Sequence, residues 1–127
     1  MSGALARVLV VDDEAHVMEL IKLALGTEGF EVIAACTGKE ALEMAVTEKP
    51  DIVLLDINLP DINGIEVCKQ LKAGEDTRRI PVLFLSALSQ KENTEKCLAV
   101  GAVACIFKPF PIKPFVAQIR NLLSAES

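Results

Sequence analysis

The chain has 127 residues, 51% of them hydrophobic, with 13 basic and 18 acidic side chains and a formal net charge of −5. That length predicts a single domain over residues 1–127, and the apolar fraction predicts a sheet buried on both faces. The acidic balance excludes nucleic-acid binding by this domain alone, and no apolar run approaches the ~18–20 residues of a membrane span.

The first strand-like run is RVLVV at 7–11, after which Val17, Leu20, Ile21, Ala24 and Leu25 keep the three-and-four spacing of an amphipathic helix. EVIAA at 31–35 is followed by a weaker helix over 38–48, and DIVLL at 51–55 by a helix carrying Gly64, Val67, Cys68 and Leu71. PVLFLS at 81–86 precedes the stripe Thr94, Cys97, Leu98 and Gly101. ACIFK at 104–108 precedes Phe115, Ile119 and Leu122, with Pro114 setting the start of the last helix near 113–115. Glycine and proline punctuate the junctions. Strands alternating with helices predict an α/β fold, a parallel sheet with helices on both faces and right-handed connections. In such sheets the binding site lies beyond the carboxyl ends of the strands.

Those ends carry Asp12, Asp13 and Glu14 after the first run, Asp56 after the third, Ser86 after the fourth and Lys108 after the fifth. Taken singly, each has an ordinary structural use: a helix cap, an Asx turn, a solvated lysine. Together they conflict, because clustered carboxylates repel unless a cation or a shared proton intervenes. Mg²⁺ resolves the conflict, since it takes oxygen ligands from one or two carboxylates plus phosphate oxygens. Lys108 and Ser86 are suited to phosphoryl oxygens, which leaves a carboxylate free to attack phosphorus. The pattern points to phosphoryl transfer.

VLVVDDE at 8–14, LLDINLPDINGIEV at 54–67, LFLSA at 83–87 and FKPF at 107–110 resemble the receiver domain of two-component response regulators, in the right order over essentially the whole chain. The resemblance implies a flavodoxin-like, doubly wound five-stranded sheet of order 2-1-3-4-5. It also implies Asp56 as phosphoacceptor and metal ligand, Asp12 and Asp13 as the acidic pair for Mg²⁺, and the backbone carbonyl of Asn58 as a further ligand. Ser86, Ala87, Lys108 and Asn58 correspond to phosphoryl-binding positions, and the bond to Pro109 is typically cis in the family. A histidine kinase or histidine phosphotransfer protein is the implied donor, with a downstream protein or fused output domain as receiver of the signal and a cytoplasmic location. The partner face would be residues 88–123, with Leu88, Lys91, Lys96 and Lys113 as exposed contacts.

The resemblance has departures. Ser86 corresponds to the switch hydroxyl, but the aromatic that moves with it is replaced by Cys105. Phe107 is bulky, yet strand alternation is expected to turn it to the other face. Leu88, beside the path of the attacking water in the family, neither orients nor polarises water, so a long-lived phosphoryl group is expected. His16 reads as a solvated helix residue rather than a phosphodonor. Cys36, Cys68, Cys97 and Cys105 lack CxxC or CxH spacing and read as small buried hydrophobes in a reducing compartment.

Other classes fit less well. A flavodoxin would cradle phosphate in a Ser/Thr/Gly-rich loop where this chain has DDEAH. A haloacid-dehalogenase-type phosphatase carries its nucleophile in a DxD motif after the first strand, where this chain has DDE. A receiver-like module that only docks partners would not need the full set of acids, hydroxyl and lysine.

Overall fold

Parallel strands covered on both faces need apolar residues along their length, and the strand runs of this chain meet that demand except at or next to their ends. In the computed structural model, which describes residues 6–87, 94–108 and 110–126, strands and helices alternate throughout. The elements are β1 (Arg7–Val11), α1 (Ala15–Gly26), β2 (Glu31–Ala35), α2 (Gly38–Thr47), β3 (Ile52–Asp56), α3 (Gly64–Ala73), β4 (Val82–Ala87), α4 (Thr94–Ala99), β5 (Ala104–Lys108) and α5 (Ile112–Glu126). The strands form one parallel five-stranded sheet of order β2-β1-β3-β4-β5, the flavodoxin-like arrangement expected.

Alternation along each strand divides the core in two. Leu9, Val11, Val53, Leu55, Val82 and Phe84 pack against Ala41 and Ala45 of α2, Val67, Cys68 and Leu71 of α3, and Cys97 of α4. Val8, Val10, Ile52, Leu54, Leu83 and Leu85 turn the other way, onto Met18, Ile21 and Leu25 of α1 and Phe115, Val116 and Ile119 of α5. Each fully buried Leu, Ile or Phe contributes about 1.5–3 kcal/mol relative to exposure, so the two layers outweigh any single polar contact at the sheet edge.

Several boundaries differ from the sequence expectation. Asp51 lies just outside β3, and its carboxylate accepts the Arg7 N–H at 2.7 Å. The last helix starts at Ile112, with the Phe115 N–H donating to the Pro111 carbonyl at 3.2 Å. Pro114 therefore sits in the first turn, where its missing N–H had no helical partner to lose. Gly101 is not helical: α4 stops at Ala99, and Gly101 takes a φ of +104° as the chain turns into β5. Leu98 and Leu20, expected on apolar stripes, are 47% and 46% exposed, while Met18 takes a buried place in α1. Among the four cysteines, Cys68 and Cys97 are buried as expected and Cys105 is half-buried, but Cys36 is exposed because it lies past the end of β2.

The loop after β3 is fastened on both sides. Asn63 caps α3 by accepting the Ile65 N–H at 2.8 Å, and the Gly64 N–H donates to the Ile57 carbonyl at 2.7 Å. Asp61 reaches across to α2, where its two oxygens accept the Gly38 and Lys39 N–H groups at 2.7 and 2.9 Å. The Lys39 and Gly38 N–H groups hold the Asp61 carboxyl below its ordinary 3.8, so its contribution is present above that value and lost as pH falls through the lower folded one. Asp61→Asn is accordingly expected to lower Tm modestly at neutral pH, with the gap from wild type closing in acid. Thermal melts of both proteins from neutral to acid pH check this.

Candidate functional site

The register carries the residues singled out in the sequence to one edge of the sheet. Asp12 follows β1, Asp56 ends β3, Ser86 lies near the end of β4, and Lys108 ends β5. Asp12, Asp56 and Ser86 are almost completely buried, at 1%, 5% and 1% exposure, whereas Asp13 is exposed. Asp12, Asp13 and Asp56 each offer a carboxylate oxygen within 4.8 Å of the other two.

Lys108 enters this acid group from β5. Its ammonium donates to Asp12 Oδ2 at 2.9 Å, Glu14 Oε1 at 3.0 Å and Asp56 Oδ2 at 3.4 Å. Burial pushes the Lys108 ammonium down, but its bonds to Asp12 and Glu14 and the charges of Asp56 and Asp12 outweigh that and raise it above its ordinary value. Asp12 also accepts the Glu14 N–H through Oδ1 at 2.9 Å, an Asx-type turn leading into α1, whose N-cap Glu14 makes no side-chain cap bond. The helix-cap use considered for the leading aspartates is not met, because the N-cap of α1 is Glu14; Asp12 instead makes a turn bond while facing Lys108.

Asp56 is the strained member. Burial, and then the negative charge of Asp12, push its carboxyl from 3.8 up to about 6, against the opposing pull of Lys108 and the Asn58 N–H. That N–H reaches Asp56 Oδ1 at 3.3 Å. One lysine cannot neutralise the group, and hard oxygen donors converging on a site short of positive charge suit a small divalent cation. The donor set fits Mg²⁺.

Residues 8–120 match the family model for the response regulator receiver domain. The chain belongs to this family.

It is 39% identical over 117 residues to the alkaline phosphatase synthesis transcriptional regulatory protein PhoP of Bacillus subtilis, covering 92% of this chain and 48% of PhoP. It is 36% identical over 116 residues to the polar-differentiation response regulator DivK of Brucella ovis, covering 91% of this chain and 94% of DivK. The chain thus spans about half the length of PhoP and nearly all of DivK. Among solved structures it resembles a putative response regulator from Chloroflexus aurantiacus with a TM-score of 0.91 at 31% identity, covering 95% of this chain and 99% of that one. As a receiver domain the chain is a two-component phosphoacceptor switch. Among the described residues, no helix is long and apolar enough to cross a membrane.

The receiver's readout side needs one correction. β5 pairs with β4 in continuous register, Phe84 beside Cys105 and Ser86 beside Phe107. Cys105 and Phe107 are two residues apart, so they share a face of the sheet, and it is Ile106 that packs on the other core. The expectation that Phe107 turns away from the Cys105 side is therefore wrong. The aromatic beside Ser86 in the register is Phe107, while Cys105 packs on the core that holds Cys97 and Cys68. Burial pushes the Cys97 thiol up to about 12 and the Cys68 thiol up to about 11, which makes both poor nucleophiles.

His16 is 84% exposed on α1, as read from the sequence, with Nε2 at 3.9 Å from Glu14. Lys96 and Lys113 are exposed as expected of contact residues, whereas Leu88, Lys91 and the bond to Pro109 lie outside the described residues. Glu14 received no role of its own from the sequence, although it is the third acid of DDE. The signal available was its place at the entry to α1, next to the acid pair.

Proposed function

We propose that Asp56 is the phosphoacceptor, taking a phosphoryl group from a phosphohistidine. The observation that carries this reading is the Lys108 ammonium bound to the buried Asp12 and Asp56 carboxylates beside Asp13. An Asp56 oxygen forms the new bond to phosphorus, the phosphorus–nitrogen bond breaks, and the imidazole leaves with its electron pair and takes up a proton. Ionisation above about 6 keeps Asp56 nucleophilic at neutral pH. The side chains of Asp12, Asp13 and Asp56 with the Asn58 carbonyl would hold Mg²⁺, whose chemistry is to neutralise phosphoryl charge. Lys108 orients one phosphoryl oxygen, and the Ser86 hydroxyl and Ala87 backbone N–H take another, shifting β4 and β5 and the partner face at 88–123.

The donor is a histidine kinase or a histidine phosphotransfer protein in the cytoplasm, and the listener is a downstream protein or a fused output domain. Incubation with Mg²⁺ and acetyl phosphate is expected to give one acid-stable, base-labile phosphoryl adduct, mapped to Asp56 by mass spectrometry. Turnover of small phosphate esters without an adduct would favour a phosphatase, and Mg²⁺ binding without any adduct would leave only a docking module.

A further inference from the structure

An ammonium has three N–H donors, and all three of Lys108 are engaged, by Asp12, Glu14 and Asp56. A phosphoryl oxygen can reach this lysine only if one of the three carboxylates lets go. Asp12 and Asp56 belong to the group whose oxygens lie within 4.8 Å of one another, and Glu14 stands outside it. Glu14 is also the exposed partner, with 47% of its side chain accessible against 0% for Asp12 and 7% for Asp56. Its release into water costs least.

We propose that Glu14 is a positioning residue that competes with the phosphoryl group for Lys108, holding the lysine in the unphosphorylated arrangement until an incoming phosphoryl oxygen displaces it. The proposal rests on the phosphoacceptor reading above and adds a residue that sets how readily the site accepts its ligand. Glu14 is the outermost side chain on Lys108, so the exchange takes place at the mouth of the site while Asp12 stays bound to the backbone at the start of α1.

The test is isothermal titration of the whole protein with beryllofluoride, a phosphoryl mimic, at saturating Mg²⁺, together with titration by Mg²⁺ alone. Removing an exposed competitor of this kind is expected to tighten beryllofluoride binding by about two- to fivefold in Glu14→Gln. Glu14→Asp keeps the charge but is one methylene too short to hold Lys108, and it is expected to show a similar gain. Mg²⁺ affinity is expected to change by less than about twofold in both, because an exposed charge outside the ligand set is largely screened. Unchanged or weaker beryllofluoride binding in Glu14→Gln overturns the proposal. A gain confined to Glu14→Gln also overturns it, assigning the effect to overall charge. A large loss of Mg²⁺ affinity overturns it by making Glu14 a metal ligand. Failure of the wild type to bind beryllofluoride would instead refute the phosphoacceptor reading itself.

Discussion

Asp56→Asn is expected to abolish phosphoryl uptake completely while making the metal-free fold more stable. The amide has no charged oxygen to attack phosphorus, so no adduct should form with acetyl phosphate and Mg²⁺. A residual adduct mapped to Asp12 or Asp13 would move the nucleophile there. The stability gain follows from linkage. Burial and the charge of Asp12 raise the Asp56 carboxyl from 3.8 in the unfolded chain to about 6 in the fold. The folded protein therefore holds that proton more tightly, and the stability this contributes is full below 3.8 and lost as pH rises through about 6.

Metal-free wild type is thus expected to lose Tm across that interval while Asp56→Asn does not, leaving the variant ahead at neutral pH. Each kcal/mol recovered raises Tm by about 3–6 °C in a domain of this size. Mg²⁺ should largely close that gap by binding only the folded wild type well, adding about 2.7 kcal/mol at a hundredfold excess over Kd. Thermal melts with and without Mg²⁺, at acid and neutral pH, read all of these outcomes.

Gly64→Ala carries the largest expected cost in stability. A Cβ at this position would lie 2.2 Å from the Asp56 carbonyl oxygen and 2.9 Å from the Ile57 Cα. Both atoms are backbone, and both belong to the turn that leaves the acidic edge of the sheet. Neither can swing aside as a side-chain tip would, so α3 or the end of β3 must shift. A cost of about 3 kcal/mol or more is expected, with Tm falling by roughly 10 °C. Phosphoryl uptake should fall as well, because the displaced backbone carries Asp56.

Gly26→Ala is the control for this result. Its Cβ would meet nothing within 4 Å, so alanine at the end of α1 should be neutral or slightly stabilising. Equal melts for Gly64→Ala and wild type would show that the turn after Asp56 yields more easily than its packing implies.

Much of this was legible beforehand for identifiable reasons. RVLVV, EVIAA and ACIFK were placed to the residue because short β-branched and apolar runs bounded by polar turns leave little freedom in register. Boundaries slipped where a side chain replaced a ladder bond, as at Asp51, or where a left-handed turn ended a helix early, as at Gly101. The stripe ending in Leu98 and Gly101 overstated α4, because its periodicity ran on past the residue at which the backbone turned. Phe107 lies on the Cys105 side of the sheet because two residues along an unbulged strand return to the same face.

By itself the sequence determined the alternation of strand and helix, the parallel sheet, and which residue types stand at the carboxyl ends of the strands. Those follow from local periodicity and from the need of a doubly covered strand to be apolar along its length. Only the tertiary structure decided how the acids share one lysine. Asp12, Glu14 and Asp56 reach Lys108 from 96, 94 and 52 residues away along the chain. No local pattern encodes such distances; they exist because β1, β3 and β5 end at the same edge of one twisted sheet. That convergence raises the Asp56 carboxyl, fills every donor of Lys108, and turns the third acid of DDE from a helix-entry residue into a rival of the phosphoryl group.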